Sequence, residues 1–296
     1  MTEFSFELVL DTRCELGECP IWSAAEQALY FVDIKRRRLH RFEPASEQHN
    51  AFGLPEEIGC VALAKDGGFV AGLRSGIWRL DEAGQCAAMM VENPENPADH
   101  RFNDGRVDPA GRFFLGTLDE TKEASDAGLY RYDSRGLALI AGGLITSNGV
   151  AFSPDGRRMY HSDTPRRTIY CYDYDVATGE PTNRRVFAQW EASADDLGRP
   201  DGGTVDAEGC YWSALYEGGR VRRYSPDGAV LAEYRVPAMC PTMVSFGGED
   251  LRTLYVTTAR GGRPDGELAA LPHSGSLFAM RVETPGLPEP MFDFES

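Results

Sequence analysis

The chain has 296 residues, with 30 Lys and Arg against 46 Asp and Glu and a formal charge of −16. That balance argues against nucleic acid as a partner, because phosphate binding needs clustered Lys and Arg. No apolar run approaches the roughly 18 residues of a membrane span, so a transmembrane helix is excluded.

In chain order, the first predicted element is the alternating stretch Phe4-Ser5-Phe6-Glu7-Leu8-Val9-Leu10. Six similar units follow. Each opens on a short apolar run stopped by turn residues: CPIWSAAEQ from Cys19, CVALAKDGG from Cys60, DGRVDPAGR from Asp104, NGVAFSPDG from Asn148, DGGTVDAEG from Asp201 and PTMVSFGGED from Pro241. An aromatic or β-branched strand comes next: LYFVDI, FVAGLR, FFLGTL, MYHSD, CYWSAL and LYVTTA. A third strand follows most of them, such as LYRYDS from Leu129 or LFAMRVE from Leu277. In Ser153-Pro154-Asp155-Gly156, Pro presets φ, Asp bonds back to the backbone and Gly accepts positive φ, which predicts a tight hairpin.

The period is roughly 40 to 50 residues, as in four-stranded propeller blades. The expectation is an all-β, six-bladed propeller with a central metal site. Residues 1–296 form a single domain in this reading, because each blade buries its faces only against its neighbours. The Phe4–Leu10 stretch is expected to supply the outer strand of the last blade and close the ring. A β-sandwich also gives many short strands but does not require six similar triplets. The nearest approaches to long loops are Val91 to His100 and Gly261 to Ser274, the latter interrupting the last blade.

Seven cysteines are scattered and none forms a CxxC pair. This predicts reduced, mostly buried thiols in a cytoplasmic protein. The N-terminus shows no basic-then-apolar leader. The one basic run, Lys35-Arg36-Arg37-Arg38, falls at a hairpin and is expected to be a solvated turn.

GxSxG, HExxH, P-loop and GxGxxG signatures are absent. His161, mid-strand beside Asp163, is expected to be structural. The polar tips before the inner strands differ from one unit to the next. The first offers Glu18, the third Arg101, Asn103 and Asp104, the fourth Asn148 and the fifth Asp201, while those at Cys60 and Pro241 are uncharged. Carboxylates and amides converging on a channel mouth make a hard-oxygen shell that suits Ca²⁺, Mg²⁺ or Mn²⁺ and accommodates Zn²⁺ or Fe²⁺. Asn-Gly and Asp-Gly are also good turn formers, but Glu18 forms no turn.

These residues carry a resemblance. LGECPIW at Leu16, RFNDGRVDPAGRFFLGT at Arg101, SNGVAFSPDG at Ser147, PDGGTVDAEG at Pro200 and FGGEDLRTLYVTTARGG at Phe246 resemble the gluconolactonase and senescence-marker-protein (regucalcin) family of six-bladed propellers. The resemblance implies a hydrolase of sugar lactones using one divalent cation. It implies Glu18, Asn148 and Asp201 as metal ligands, with Asp201 also the general base. Arg101 and Asn103 are implied to hold the substrate. Some relatives place an acidic residue after the third-blade Gly-Thr, where this chain has Asp119 and Glu120, so both are expected as substrate contacts. The implied reaction is attack of water on the lactone C1 carbonyl, giving the aldonic acid. The alternatives are a non-catalytic calcium-binding regulatory protein of the same fold, or a metal-dependent esterase or phosphotriesterase.

Overall fold

The structure is a computed structural model that describes residues 4–122, 124–193 and 196–296. Its strands form six four-stranded antiparallel sheets. The first strands of blades 1 to 6 are Gly17–Ser23, Ile58–Leu63, His100–Val107, Ser147–Phe152, Arg199–Val205 and Cys240–Gly247. Each packs on the first strand of the next blade, and the sixth packs on the first, so these strands ring a central channel. The fold is a six-bladed β-propeller, as expected. The strand Glu7–Leu10 pairs with Leu277–Arg281 and completes the last blade from the other end of the chain.

Burial follows the radial order. The inner strands are buried throughout except for half-buried Arg199 at the start of the fifth, whereas outer strands such as Glu180–Gln189 face solvent. The predicted turn at residues 153–156 forms, with the Gly156 N–H donating to the Ser153 carbonyl at 2.9 Å and φ of +65° at Gly156. The Gly261 to Ser274 excursion holds a short helix, Asp265–Ala270.

Every inner strand carries a β-bulge at the same level. In blade 1, Glu18 pairs with Val32 and Ile21 with Tyr30, so Cys19 and Pro20 share one partner position. The same two-for-one step falls at Asn103 and Asp104, at Gly149 and Val150, at Asp201 and Gly202, and at Thr242 and Met243; in blade 2 the extra residue is Gly59. A bulge twists the strand and re-aims side chains. The polar tips therefore lie inside the inner strands, not before them as the sequence pattern implied.

The C-terminal segment after Arg281 crosses the far mouth of the channel. It bridges blade 5 at Gly286, blade 2 at Phe292 and blade 3 at Asp293. Phe292 is buried against Phe113 and Tyr132. Glu289 reaches Arg106, whose Nη1 donates to both carboxylate oxygens at 2.8 Å. The sequence pattern held no sign of this strap.

Candidate functional site

At the bulge level a cavity of about 310 Å³ opens at one mouth of the channel. Its walls include Glu18, Arg101, Asn103, Asn148, Thr164 and Asp201. Five of the sequence-predicted residues thus converge, from blades 1, 3, 4 and 5. Four of them come from two adjacent positions, and Arg101 stands two residues before the Asn103 bulge of blade 3. Glu18 and Asn148 stand just before the bulge, and the residue after each has positive φ: +48° at Cys19 and +64° at Gly149. Asn103 and Asp201 are themselves the first bulge residues.

The strained Cys19 is held by its thiol, which lies 3.3 Å from both the N–H and the carbonyl of Val61. Gly149 is held from the next blade, where Tyr211 OH donates to its carbonyl at 2.8 Å. Gly202 lets Asp201 sit close to blade 6, because a Cβ there would lie 2.3 Å from Met243 Cγ.

A hydrogen-bond chain runs along the wall. Arg101 Nη1 donates to Asn103 Oδ1 at 2.8 Å, and Asn103 Nδ2 donates to Asn148 Oδ1 at 2.7 Å and to the Ser147 carbonyl at 3.1 Å. Asn148 Nδ2 donates to Thr164 Oγ1 at 2.7 Å, which donates to the Pro200 carbonyl at 2.7 Å, next to Asp201. The Asn148 oxygen keeps one acceptor lone pair after the Asn103 bond.

The two carboxylates differ from everything around them. Among the described residues, Glu18 and Asp201 accept hydrogen bonds from no other side chain. Burial pushes both well above the ordinary carboxylate range, and neighbouring negative charge adds to it: Asp201 and Asp104 act on Glu18, and Asp104 on Asp201. Arg101 opposes the shift of Glu18, and Arg199 followed by Arg101 opposes that of Asp201. Asp104 is buried too, its Oδ2 accepting from the Val150 N–H at 3.2 Å and its Oδ1 unpartnered among the described residues. Burial raises it as well, against the pull of Arg106. A cation would relieve this repulsion, and a shell of carboxylate and amide oxygens is chemistry that hard divalent ions accept.

Asp119 and Glu120 do not line the cavity. The Asp119 carboxylate accepts from Thr121 Oγ1 at 2.7 Å, from the Thr121 N–H at 2.8 Å and from the Ala124 N–H at 3.1 Å, and the Thr121 bond leads in holding it down at about 2. It belongs to a structural set that the sequence reading missed. Asp33, Asp119 and Asp163 each pair with the first residue of an inner strand. Asp33 and Asp163 brace the entry loops before Glu18 and Asn148 through the N–H groups of Glu15, Leu16, Ile145 and Thr146. The signal was an aspartate ending the second strand of three units.

Glu120 ion-pairs with Lys35 at 2.8 Å and Arg74 at 2.5 Å, and lies 3.6 Å from Arg101 Nε. Its burial acts upward, but Lys35 and Arg74 outweigh it and hold the carboxyl at about 2. Lys35 is thus tied to Glu57 and Glu120 and is more than part of a solvated turn. His161 Nε2 meets Ser147 Oγ at 2.8 Å, and burial lowers its pKa to about 3, so it is neutral.

Residues 16–260 match the family model described as the SMP-30/Gluconolactonase/LRE-like region. Over 278 residues the chain is 50% identical to the 6-deoxy-6-sulfogluconolactonase of Pseudomonas putida, covering 94% of each chain. It is 39% identical over 289 residues to the pentonolactonase XacC of Haloferax volcanii, covering 95% of this chain and 96% of that one. The crystal structure of a calcium-binding protein, regucalcin, from Agrobacterium tumefaciens superposes with a TM-score of 0.93 at 29% identity, covering 98% of this chain and 97% of that one.

Proposed function

Because the chain belongs to the SMP-30/gluconolactonase/LRE-like family, we propose that it is a carboxylic ester hydrolase that opens sugar lactones with one divalent cation. One observation carries the reading. A single cavity joins two buried carboxylates that lack side-chain donors to the Arg101–Asn103–Asn148 chain. The two relatives named as lactonases support the reaction, and the structure named as a calcium-binding protein supports the cation.

Glu18, Asn148 and Asp201 would hold the cation, which when bound supplies Lewis acidity toward the ester carbonyl. The oxygen donors suit Ca²⁺, Mg²⁺ or Mn²⁺ and accommodate Zn²⁺ or Fe²⁺. Asp201 takes a proton from water as the water oxygen bonds to C1 of the lactone. The bond between C1 and the ring oxygen then breaks, and that oxygen leaves with a proton as a hydroxyl of the aldonic acid. A lactone is already an activated ester, so no covalent nucleophile is needed. Arg101 and Asn103 hold the substrate hydroxyls, and Glu120 keeps the Arg101 guanidinium in place through its ion-pair network. A wall this polar favours a polyhydroxylated ring over an apolar ester or phosphotriester.

The test is a proton-release assay on a panel of sugar lactones, with and without chelator. Turnover that chelator abolishes supports the hydrolase. Cation binding without turnover on any lactone favours the non-catalytic reading, with the calcium binding that the Agrobacterium protein's name states. All seven cysteines are free, which fits a reducing, cytoplasmic setting. Closure of blade 6 by both chain ends fits one domain over residues 1–296.

A further inference from the structure

We propose that the lactone this site accepts carries a negatively charged group, sulfonate or carboxylate, at the end of the sugar remote from the ring carbonyl, held between Lys122 and Arg199. The proposal rests on the lactonase reading and goes beyond it to the substrate class. In a chain with 46 acidic and 30 basic residues, the cavity wall carries three cations, Arg101, Lys122 and Arg199, against three carboxylates, Glu18, Asp201 and Glu217.

Lys122 and Arg199 stand outside the Arg101–Asn103–Asn148 hydrogen-bond chain, although the Arg199 charge also acts on Asp201. Lys122 comes from the loop after the second strand of blade 3, and Arg199 opens the inner strand of blade 5. They flank the blade 4 wall at Thr146, Thr164 and Pro165: Leu118 bridges Thr146 on one side, and Thr164 bonds the Pro200 carbonyl on the other. Among the described residues the Lys122 ammonium meets no carboxylate or other hydrogen-bond partner. Arg199 bonds Glu217 through Nη2 at 2.8 Å and lies over the Tyr216 ring, while among the described residues its buried Nε has no partner. Glu217 is shared with Arg263 at 2.8 Å, so it does not belong to Arg199 alone. Arg167, just past Pro165, reaches the Leu197 carbonyl and likewise pairs with no carboxylate among the described residues. A lysine without a carboxylate partner, beside an arginine that shares its own with Arg263, raises the local concentration of an anion and strengthens its charge-assisted hydrogen bonds.

The experiment compares kcat/KM for glucono-1,5-lactone, its 6-deoxy-6-sulfonate and its 6-carboxylate analogue, in the wild type and in Lys122→Gln and Arg199→Gln. Product binding is measured in parallel, by calorimetry with gluconate, 6-deoxy-6-sulfogluconate and glucarate. A wild type that prefers one of the charged lactones is expected, and the favoured arm separates sulfonate from carboxylate. Each variant should cut the ratio of charged to neutral kcat/KM about tenfold or more, the effect of losing a hydrogen bond to a charged group. A ratio near one in the wild type, or variants that lower both substrates alike, would overturn the proposal. If no lactone turns over, the lactonase reading fails, and equal binding of the three acids then overturns this proposal on its own.

Discussion

The side-chain amide of Asn103 donates to Oδ1 of Asn148 at 2.7 Å, joining the bulges of blades 3 and 4. The first residue is proposed to touch substrate and the second to hold the cation, so the bond couples the two. Asn103→Leu should leave the Ser147 carbonyl without its Asn103 donor and remove a partner of Arg101. The expected result is a loss of stability of about 1–3 kcal/mol, with a rise in KM for the lactone at saturating cation. Urea titration and steady-state kinetics check it, and a variant with wild-type KM would remove Asn103 from the substrate wall.

Glu18→Gln should weaken cation affinity by more than the roughly 10- to 100-fold typical of changes around a metal's ligands, because it removes a charged donor outright. Calorimetric titration with Ca²⁺, Mn²⁺ and Zn²⁺ is the measurement. Unchanged affinity for all three would count against Glu18 as a ligand.

The same variant tests the electrostatics without cation. The folded-state pKa of Glu18 is raised, chiefly by burial and then by Asp201 and Asp104. Its contribution to stability is therefore fully present below the unfolded value and is lost as pH rises through the folded one. In chelator, wild type should fall behind Glu18→Gln in melting temperature as pH rises from 5 to 8, and the two should converge at low pH. His40 and His161, each lowered to about 3, act with the opposite sign up to pH ~6.5 but are common to both proteins and cancel. A gap that widens toward acid would refute the charge argument.

Asp201→Asn separates binding from chemistry. Asn still offers an oxygen to the cation and tolerates the bulge next to Gly202, but it is no base at neutral pH. With cation saturating, kcat should fall about 10²- to 10⁴-fold. A loss that disappears at high cation concentration would make Asp201 a ligand only. Near wild-type turnover would place the base elsewhere, with buried Asp104 the next group to test.

At the far mouth, Glu289→Ala should destabilise the fold by about 3 kcal/mol, the low end for breaking a buried ion pair, because Asp104 remains near Arg106. Chemical denaturation measures it. A cost within error of zero would mean that the strap does not anchor through Arg106.

Much of this architecture was legible because a propeller repeats itself. Turn chemistry at Ser153–Gly156 and the alternation at Phe4–Leu10 are local signals, and both placed their elements where the structure has them. Glu18, Arg101, Asn103, Asn148 and Asp201 stood out as polar tips that differ from unit to unit, and the ring brings all five to one cavity. Asp119 and Glu120 rested on the resemblance alone, at the end of the second strand of blade 3. What separates them is where each carboxylate finds donors: Asp119 in its own 119–124 turn, Glu120 in Lys35 and Arg74 from other blades.

By itself, then, the sequence determined the repeat, the all-β class and the pool of polar residues at one level of the channel, since periodicity and turn preference act within a few residues of the chain. Only the tertiary structure decided that Glu18 and Asn148 stand before their bulges while Asn103 and Asp201 lie in theirs, and that a C-terminal strap seals the opposite mouth through Glu289 and Phe292. A bulge shifts register by one residue without changing composition, and the strap is held by pairings across more than 180 residues. Both depend on where distant segments meet, and neither leaves a local pattern.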